Sequence, residues 1–205
     1  MTASLDFYFF IGSTYSYLSV NRAAGQAQAR GAALVWRPFS LRTLMREQRN
    51  VPFADKPAKQ RYMWRDLSRR AARFGIPFDG TPPYPIDADE RANRIATVAA
   101  REGWCPAFAQ AAFRAWFLGK QDPGEPEALR AILDALGQDA DRCLAMADSE
   151  AIRGDYAAHT DRARELGIFG SPTFVHGAEI FWGDDRLEDA LDWALGRRTD
   201  RGHAG

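Results

Sequence analysis

Cysteine is nearly absent from this 205-residue chain. Only Cys105 and Cys143 occur, in separate helical-looking segments. They form no C-x-x-C pair and join no metal-ligand pattern with the three histidines, His159, His176 and His203. Two buried free thiols are therefore expected, and no zinc site. Charge of one sign is not in excess either, with 27 acidic against 27 basic residues. That balance gives no support to a role on nucleic acid or on a membrane surface. No apolar run approaches a membrane span. Met1-Thr2-Ala3-Ser4 leads straight into a strand-like pattern without a basic leader, so a cytoplasmic protein is the expectation. Repeats and low-complexity stretches are also missing.

What is present is concentrated first at the N-terminus. Leu5 to Ile11 is an almost unbroken apolar and aromatic run, as in a strand covered on both faces. Gly12 supplies a turn, and Ser13 or Thr14 is a good N-cap for a helix carrying Tyr17, Leu18, Val20 and Ala24. A polar side chain at such a turn faces the positive end of the helix dipole, where unpaired N–H groups accommodate an anion. Simple capping would explain Ser13 equally well. A second stretch, Gly170-Ser171-Pro172-Thr173-Phe174-Val175, stands far down the chain between a helical segment and a strand.

Between these stretches the pattern changes twice. The first helix ends at Gly31, and Ala33 to Phe39 reads as a strand parallel to the first. The next hundred residues and more are helical: short helices at 42–49, 125–136 and 139–147, and longer ones at 57–74, 87–102 and around 108–118. Met63, Leu67, Ala71 and Phe74 give the helix at 57–74 an apolar stripe on an otherwise basic surface. A solvated basic face is the ordinary reading, with contact to a substrate carboxylate as the sharper one. A helix over 149–166 returns to Gly170. A hairpin around His176-Gly177-Ala178 follows, with His176 expected in the turn, and then a last helix capped by Asp184 or Asp185. The fold class predicted is α/β, a core from residues 1–40 and 165–197 with a large inserted all-helical domain at 41–164, and a flexible tail at 198–205; the resemblance that follows makes that core thioredoxin-like.

Taken together, the two stretches resemble the thioredoxin superfamily, in the branch of DsbA, the kappa-class glutathione transferases and the 2-hydroxychromene-2-carboxylate isomerases. The likeness extends through Phe7-Tyr8-Phe9, Ser13 to Leu18, Asn50-Val51-Pro52, Lys59 to Met63 with Asp66-Leu67, Gly75-Ile76-Pro77 and Phe181 to Leu187. It implies that Pro172 is cis and packs beside the helix N-terminus. It also implies glutathione as cofactor. Redox members need cysteine where this chain has Ser13, so dithiol exchange is excluded. Ser13 has no paired base in its motif and no nucleophile elbow around it, so it is a poor nucleophile itself. The remaining role is a hydroxyl that donates to an external thiolate and favours it over the thiol.

By the same resemblance, the Ser171 backbone before Pro172 pairs with the tripeptide as an added strand, and Trp182, Gly183, Asp184 and Asp185 hold its γ-glutamyl end. Asn50, Lys59 and Tyr84 line the substrate side, where a small aromatic carboxylate binds, and a homodimer is implied. The activity implied is interconversion of 2-hydroxychromene-2-carboxylate with its ring-opened hydroxybenzylidenepyruvate by reversible thiolate addition, in aromatic hydrocarbon catabolism. The alternatives are a kappa-like glutathione transferase or peroxidase acting on another electrophile, and a non-catalytic glutathione or thiol-peptide binding protein. Four positions depart from the isomerase pattern. Phe10 replaces a common Asp, Gly12 a bulkier apolar residue and Thr14 a Pro, and Asp87 stands near a usual Asn.

Overall fold

A computed structural model of the chain describes residues 2–50 and 56–197. Val51-Pro52 and the tail expected at 198–205 lie outside the described residues. The chain opens with β1 (Ser4–Phe9), α1 (Thr14–Arg30) and β2 (Ala33–Pro38). Among the described residues, seven helices follow: α2 (Leu41–Glu47), α3 (Pro57–Phe74), α4 (Arg91–Glu102), α5 (Cys105–Phe117), α6 (Pro126–Ala135), α7 (Ala140–Asp148) and α8 (Glu150–Glu165). The hairpin β3 (Thr173–His176) and β4 (Glu179–Trp182), a 3-10 turn (Asp184–Arg186) and α9 (Leu187–Ala194) complete it. This is a thioredoxin-like α/β fold with a large helical addition.

The four strands among the described residues form one sheet in the order β2-β1-β3-β4. β1 runs parallel to β2, with Phe7 opposite Trp36, and antiparallel to β3, with Phe7 opposite Phe174. Strand periodicity sends alternate β1 side chains to opposite faces. Leu5, Phe7 and Phe9 join the large core that includes α1, α4, α5 and α9. Tyr8 and Phe10 join a smaller cluster with Phe39, Leu41, Leu44, Ala163, Ile168 and Val175, so α2 and α8 cover the second face. Phe7 stacks on Phe174 at 4.9 Å and meets Trp36 edge-on at 5.0 Å. Burial of each such ring contributes about 1.5–3 kcal/mol, which fixes the register of the strand that leads into the Ser13 turn.

Several local expectations need correction. α4 begins at Arg91 rather than Asp87, because Asp87 (φ 48°) and Glu90 (φ 55°) hold left-handed backbone that a helix cannot continue. The Asp87 carboxylate caps α4 from outside, accepting from the N–H groups of Ala92 (2.9 Å) and Asn93 (3.3 Å). His176 is the last residue of β3, opposite Glu179, so the turn proper is Gly177-Ala178. Its Nδ1 lies 2.8 Å from the Ser4 carbonyl. Neither Asp184 nor Asp185 caps α9, since both lie in the 3-10 turn before it. Cys105 and Cys143 are buried free thiols as expected, and burial pushes the Cys105 thiol well up from its ordinary pKa. Among the described residues, no helix is long and apolar enough to cross a membrane, and no group of side chains could hold a metal ion.

Candidate functional site

β1 runs out of sheet partners at Phe9, yet the next residues are buried and their backbone groups need partners. Two distant segments and one local turn supply them. Phe10 N–H donates to Ser171 Oγ (3.0 Å). Ile11 N–H donates to Asn93 Oδ1 (2.8 Å), and Asn93 Nδ2 donates back to the Ile11 carbonyl (3.0 Å). Ser13 N–H closes the turn onto the Phe10 carbonyl at 3.1 Å. Gly12 takes φ 131° there, and a Cβ on it would lie 2.6 Å from Phe10 Cε1. The two unusual residues at positions 10 and 12 are thus one arrangement, because the Phe10 ring occupies the space a side chain at 12 would need.

Ser13 is the N-cap of α1 by position, but its hydroxyl makes no capping bond. It donates instead to the Ser171 carbonyl at 2.6 Å, directly ahead of Pro172. The Ser171–Pro172 bond is cis, as the resemblance implied, and Tyr84–Pro85 is a second cis bond that the sequence reading did not anticipate. The Thr14 hydroxyl does not cap α1 either, since it meets Met63 Sδ at 3.1 Å. No acidic side chain stands in the first turn of α1, so its positive end is not neutralised from within. Beneath the turn the buried Ser16 and Ser171 hydroxyls share a hydrogen bond at 2.7 Å.

On the other side of Pro172, its carbonyl accepts from Gly183 N–H at 2.9 Å. Ser13, Ser171, Pro172 and Gly183 are therefore joined by direct contacts. Trp182 is 54% exposed; a methyl on Gly170 would lie 2.1 Å from its Nε1, so the indole lies on bare backbone. Phe169 meets it edge-on at 4.8 Å, extending an aromatic wall beside the cis bond. The two aspartates that follow differ. Asp184 is buried and receives Arg70 through Nε (3.0 Å) and Nη2 (2.7 Å), with Arg22 at 3.7 Å. Burial pushes its carboxyl up from the usual range, against the pull of those two guanidiniums. Asp185 is exposed and, among the described residues, pairs with its neighbour Arg186 at 3.1 Å.

The three residues expected on the substrate side lie on other elements. Lys59 is exposed in the first turns of α3, one turn before Met63, and so on the stripe that faces Thr14. Tyr15, whose hydroxyl donates to Asp66 at 3.0 Å, ties the same helix to α1; burial and Asp66 together hold its proton on. Tyr84 is 58% exposed in the loop before α4. Arg42 anchors that loop by donating to the Ile86 and Asp87 carbonyls, while its guanidinium lies 5.0 Å from the centre of the Phe10 ring. Asn50 is exposed after α2, its N–H bonded to the Met45 carbonyl at 2.8 Å. A recess of about 370 Å³ between β2, α4, α5 and α8 has Trp36, Cys105 and His159 in its walls, and none of the Ser13 group. Residues that sequence reasoning missed are Asn93, Ser16 and Arg70, the partner of Asp184. A polar Asn93 beside the small and apolar positions Ala92, Ile95, Ala96, Val98 and Ala99 was the available signal for the first.

Comparisons with known proteins identify the family. The DsbA-like thioredoxin domain matches residues 4–193. A 2-hydroxychromene-2-carboxylate isomerase of Sphingobium xenophagum is 31% identical over 191 residues, covering 92% of this chain and 96% of that one. The chain belongs to the 2-hydroxychromene-2-carboxylate isomerase family, within the DsbA-like thioredoxin domains. A solved structure of a 2-hydroxychromene-2-carboxylate isomerase superposes with a TM-score of 0.82 at 28% identity, over 95% of each chain. Glutathione S-transferase kappa 2 of Caenorhabditis elegans is a more distant relative, 24% identical over 92% of this chain and 90% of its own.

Proposed function

We propose that the protein is a glutathione-dependent isomerase that interconverts 2-hydroxychromene-2-carboxylate and hydroxybenzylidenepyruvate. The observation that carries the reading is the Ser13 hydroxyl, which leaves its own helix uncapped and lies 2.6 Å from the main chain ahead of cis-Pro172. The residues fit a thiol peptide by their chemistry. A helix N-terminus without internal acid and a serine donor favour thiolate, and a short extended segment beside them suits a peptide backbone. When bound, glutathione supplies a thiolate that adds reversibly to the conjugated double bond, so that the bond can rotate before the thiolate leaves.

The protein's own part is positioning and charge. Ser13 turns its hydroxyl from the Ser171 carbonyl toward the sulfur and holds the proton balance in favour of thiolate. The Ser171 main chain aligns the tripeptide. Trp182 and Gly183 border its γ-glutamyl end, where exposed Asp185 suits the ammonium; Asp184, already committed to Arg70 and Arg22, sets the loop in place. The substrate side is the helical segment 41–164, with Lys59 for the aromatic carboxylate and Asn50 and Tyr84 beside it. A cytoplasmic homodimer completes the reading. The kappa-class relative supports a second one, transfer of glutathione to another electrophile at the same site.

The experiment uses purified protein stripped of small thiols. Ring opening should then run no faster than in buffer, and catalytic glutathione should restore it without net consumption. One glutathione lost per product, with a stable thioether in the mass spectrum, would establish the transferase instead. Thiol-free turnover would overturn the mechanism. Ser13→Ala should leave the fold intact and raise the bound-thiol pKa by about 1–2 units, the equivalent of one charge-assisted hydrogen bond. Thiolate absorbance against pH reads that shift directly.

A further inference from the structure

One buried side chain of the insert bonds directly to the backbone that leads into the Ser13 turn. Asn93 is fully buried in the first turn of α4, and each of its polar atoms has a partner. Oδ1 accepts from Ile11 N–H, and Nδ2 donates both to the Ile11 carbonyl and to Asp87 Oδ2, the last at 2.8 Å. The pairing copies what a neighbouring strand would offer, two residues before Ser13. Asp87 is itself fixed, because its N–H meets both Asp122 oxygens (2.8 and 3.0 Å) and its carboxylate caps α4. A Cβ on Gly124 would lie 2.5 Å from Asp87 Oδ1, so the backbone packs directly on the carboxylate.

We propose that Asn93 is a positioning residue that sets the Ser13 turn, with the Asp87 carboxylate holding its amide the right way round. A carboxylate can only accept, so the amide must present Nδ2 to Asp87; Oδ1 is then left for Ile11 N–H. An amide turned the other way would set acceptor against acceptor and donor against donor. The inference deepens the reading of Ser13 as donor to a bound thiol and rests on it in part. Through this link α4 controls the aim of a hydroxyl it never touches.

Two measurements test it on the full chain. Amide hydrogen exchange at Ile11 and Ser13 is read without any thiol, and the thiol pKa is read on the glutathione-loaded protein. Asn93→Ala should speed Ile11 exchange by about tenfold or more while Phe7 in β1 keeps its protection, since only the local opening changes. The bound-thiol pKa should rise by about half a unit to one unit. Asp87→Asn, isosteric and retaining the apolar packing, should move both readouts the same way by less. Uniform acceleration of all amides, or a loosened Ile11 with an unchanged thiol pKa, would reduce Asn93 to a structural residue and overturn the proposal. Failure of both variants to fold counts against it in the same way. A wild-type protein that binds no glutathione thiolate would instead remove the functional reading, while Ile11 exchange would still decide whether Asn93 clamps the turn.

Discussion

The Ser13 turn is gripped from two sides that use different physics. On the core side, the cis-Pro172 loop offers Ser171, and Asp184 behind it forms a buried ion pair with Arg70 and Arg22. On the insert side, Asp87 and Asn93 work almost wholly through neutral donors and acceptors, with Arg42 bonded to the Asp87 carbonyl rather than its carboxylate. Buried ion pairs break expensively, because the surviving partner is left charged in a poor solvent. Hydrogen-bonded amides break more cheaply but are directional. The core side therefore holds elements together, and the insert side sets an angle.

That contrast makes Asp184→Ala the most destructive change expected at the site. It leaves Arg70 and Arg22 without their shared anion between α1 and α3, and should cost about 3–5 kcal/mol. Urea unfolding measures it; Ile11 exchange well below the midpoint should stay slow. A loss under about 1 kcal/mol would place the pair among exposed ion pairs and erase the contrast. Ser171→Ala comes next. Phe10 N–H loses its acceptor and Ser16 its partner, for a cost of about 1–3 kcal/mol. Because Ser13 bonds the Ser171 carbonyl and not its side chain, the thiol-facing geometry should survive, and a bound-thiol pKa that rises as far as in Ser13→Ala would show that the two serines act as one unit.

The core side was largely legible in the sequence. A continuous apolar run, a glycine turn and a Ser-Pro before a strand each state a local requirement, and the parallel β1–β2 pair and the β3–β4 hairpin follow the expected order. Helix α3 spans 57–74 as its stripe predicts. The insert side was not legible, for a physical reason. Asp87 and Asn93 act through backbone groups 82 residues from Asn93, and a hydrogen bond to backbone leaves no mark on the identity of Ile11. The sequence near Asp87 reads as an ordinary helix start; only two left-handed residues show that the helix begins later. Ser13 was misread in one respect: its type suits a cap, but the Ser171 carbonyl competes for the hydroxyl and wins. Asp184 and Asp185 looked equivalent, and depth alone separates them.

The smallest effect expected is one of pH, and it separates the two sides again. Burial pushes the Asp87 carboxyl up from its ordinary 3.8, against the N–H groups of Ala92 and Asn93, the Asn93 amide and the nearby Arg42. In the window between the unfolded value and the raised folded one, the unfolded chain has lost this proton and the native protein keeps it. Stability from Asp87 is thus fully present below the unfolded pKa and falls as pH rises through the folded one. Asp148, paired with Arg91 and Arg94, runs the opposite way: its pKa is lowered, so its contribution is present above 3.8 and lost on acidification through the folded value. Asp87→Asn has no proton to lose, so unfolding free energies of wild type and variant, compared from about pH 3 to pH 7, should diverge in the variant's favour as pH rises. Asp184, also raised by burial, contributes the same sign to both proteins and cancels in the comparison. A pH-independent difference would mean that the donors around Asp87 fully offset its burial. The carboxylate would then be fully satisfied by its donors, and the distinction between the two sides would lie in direction alone.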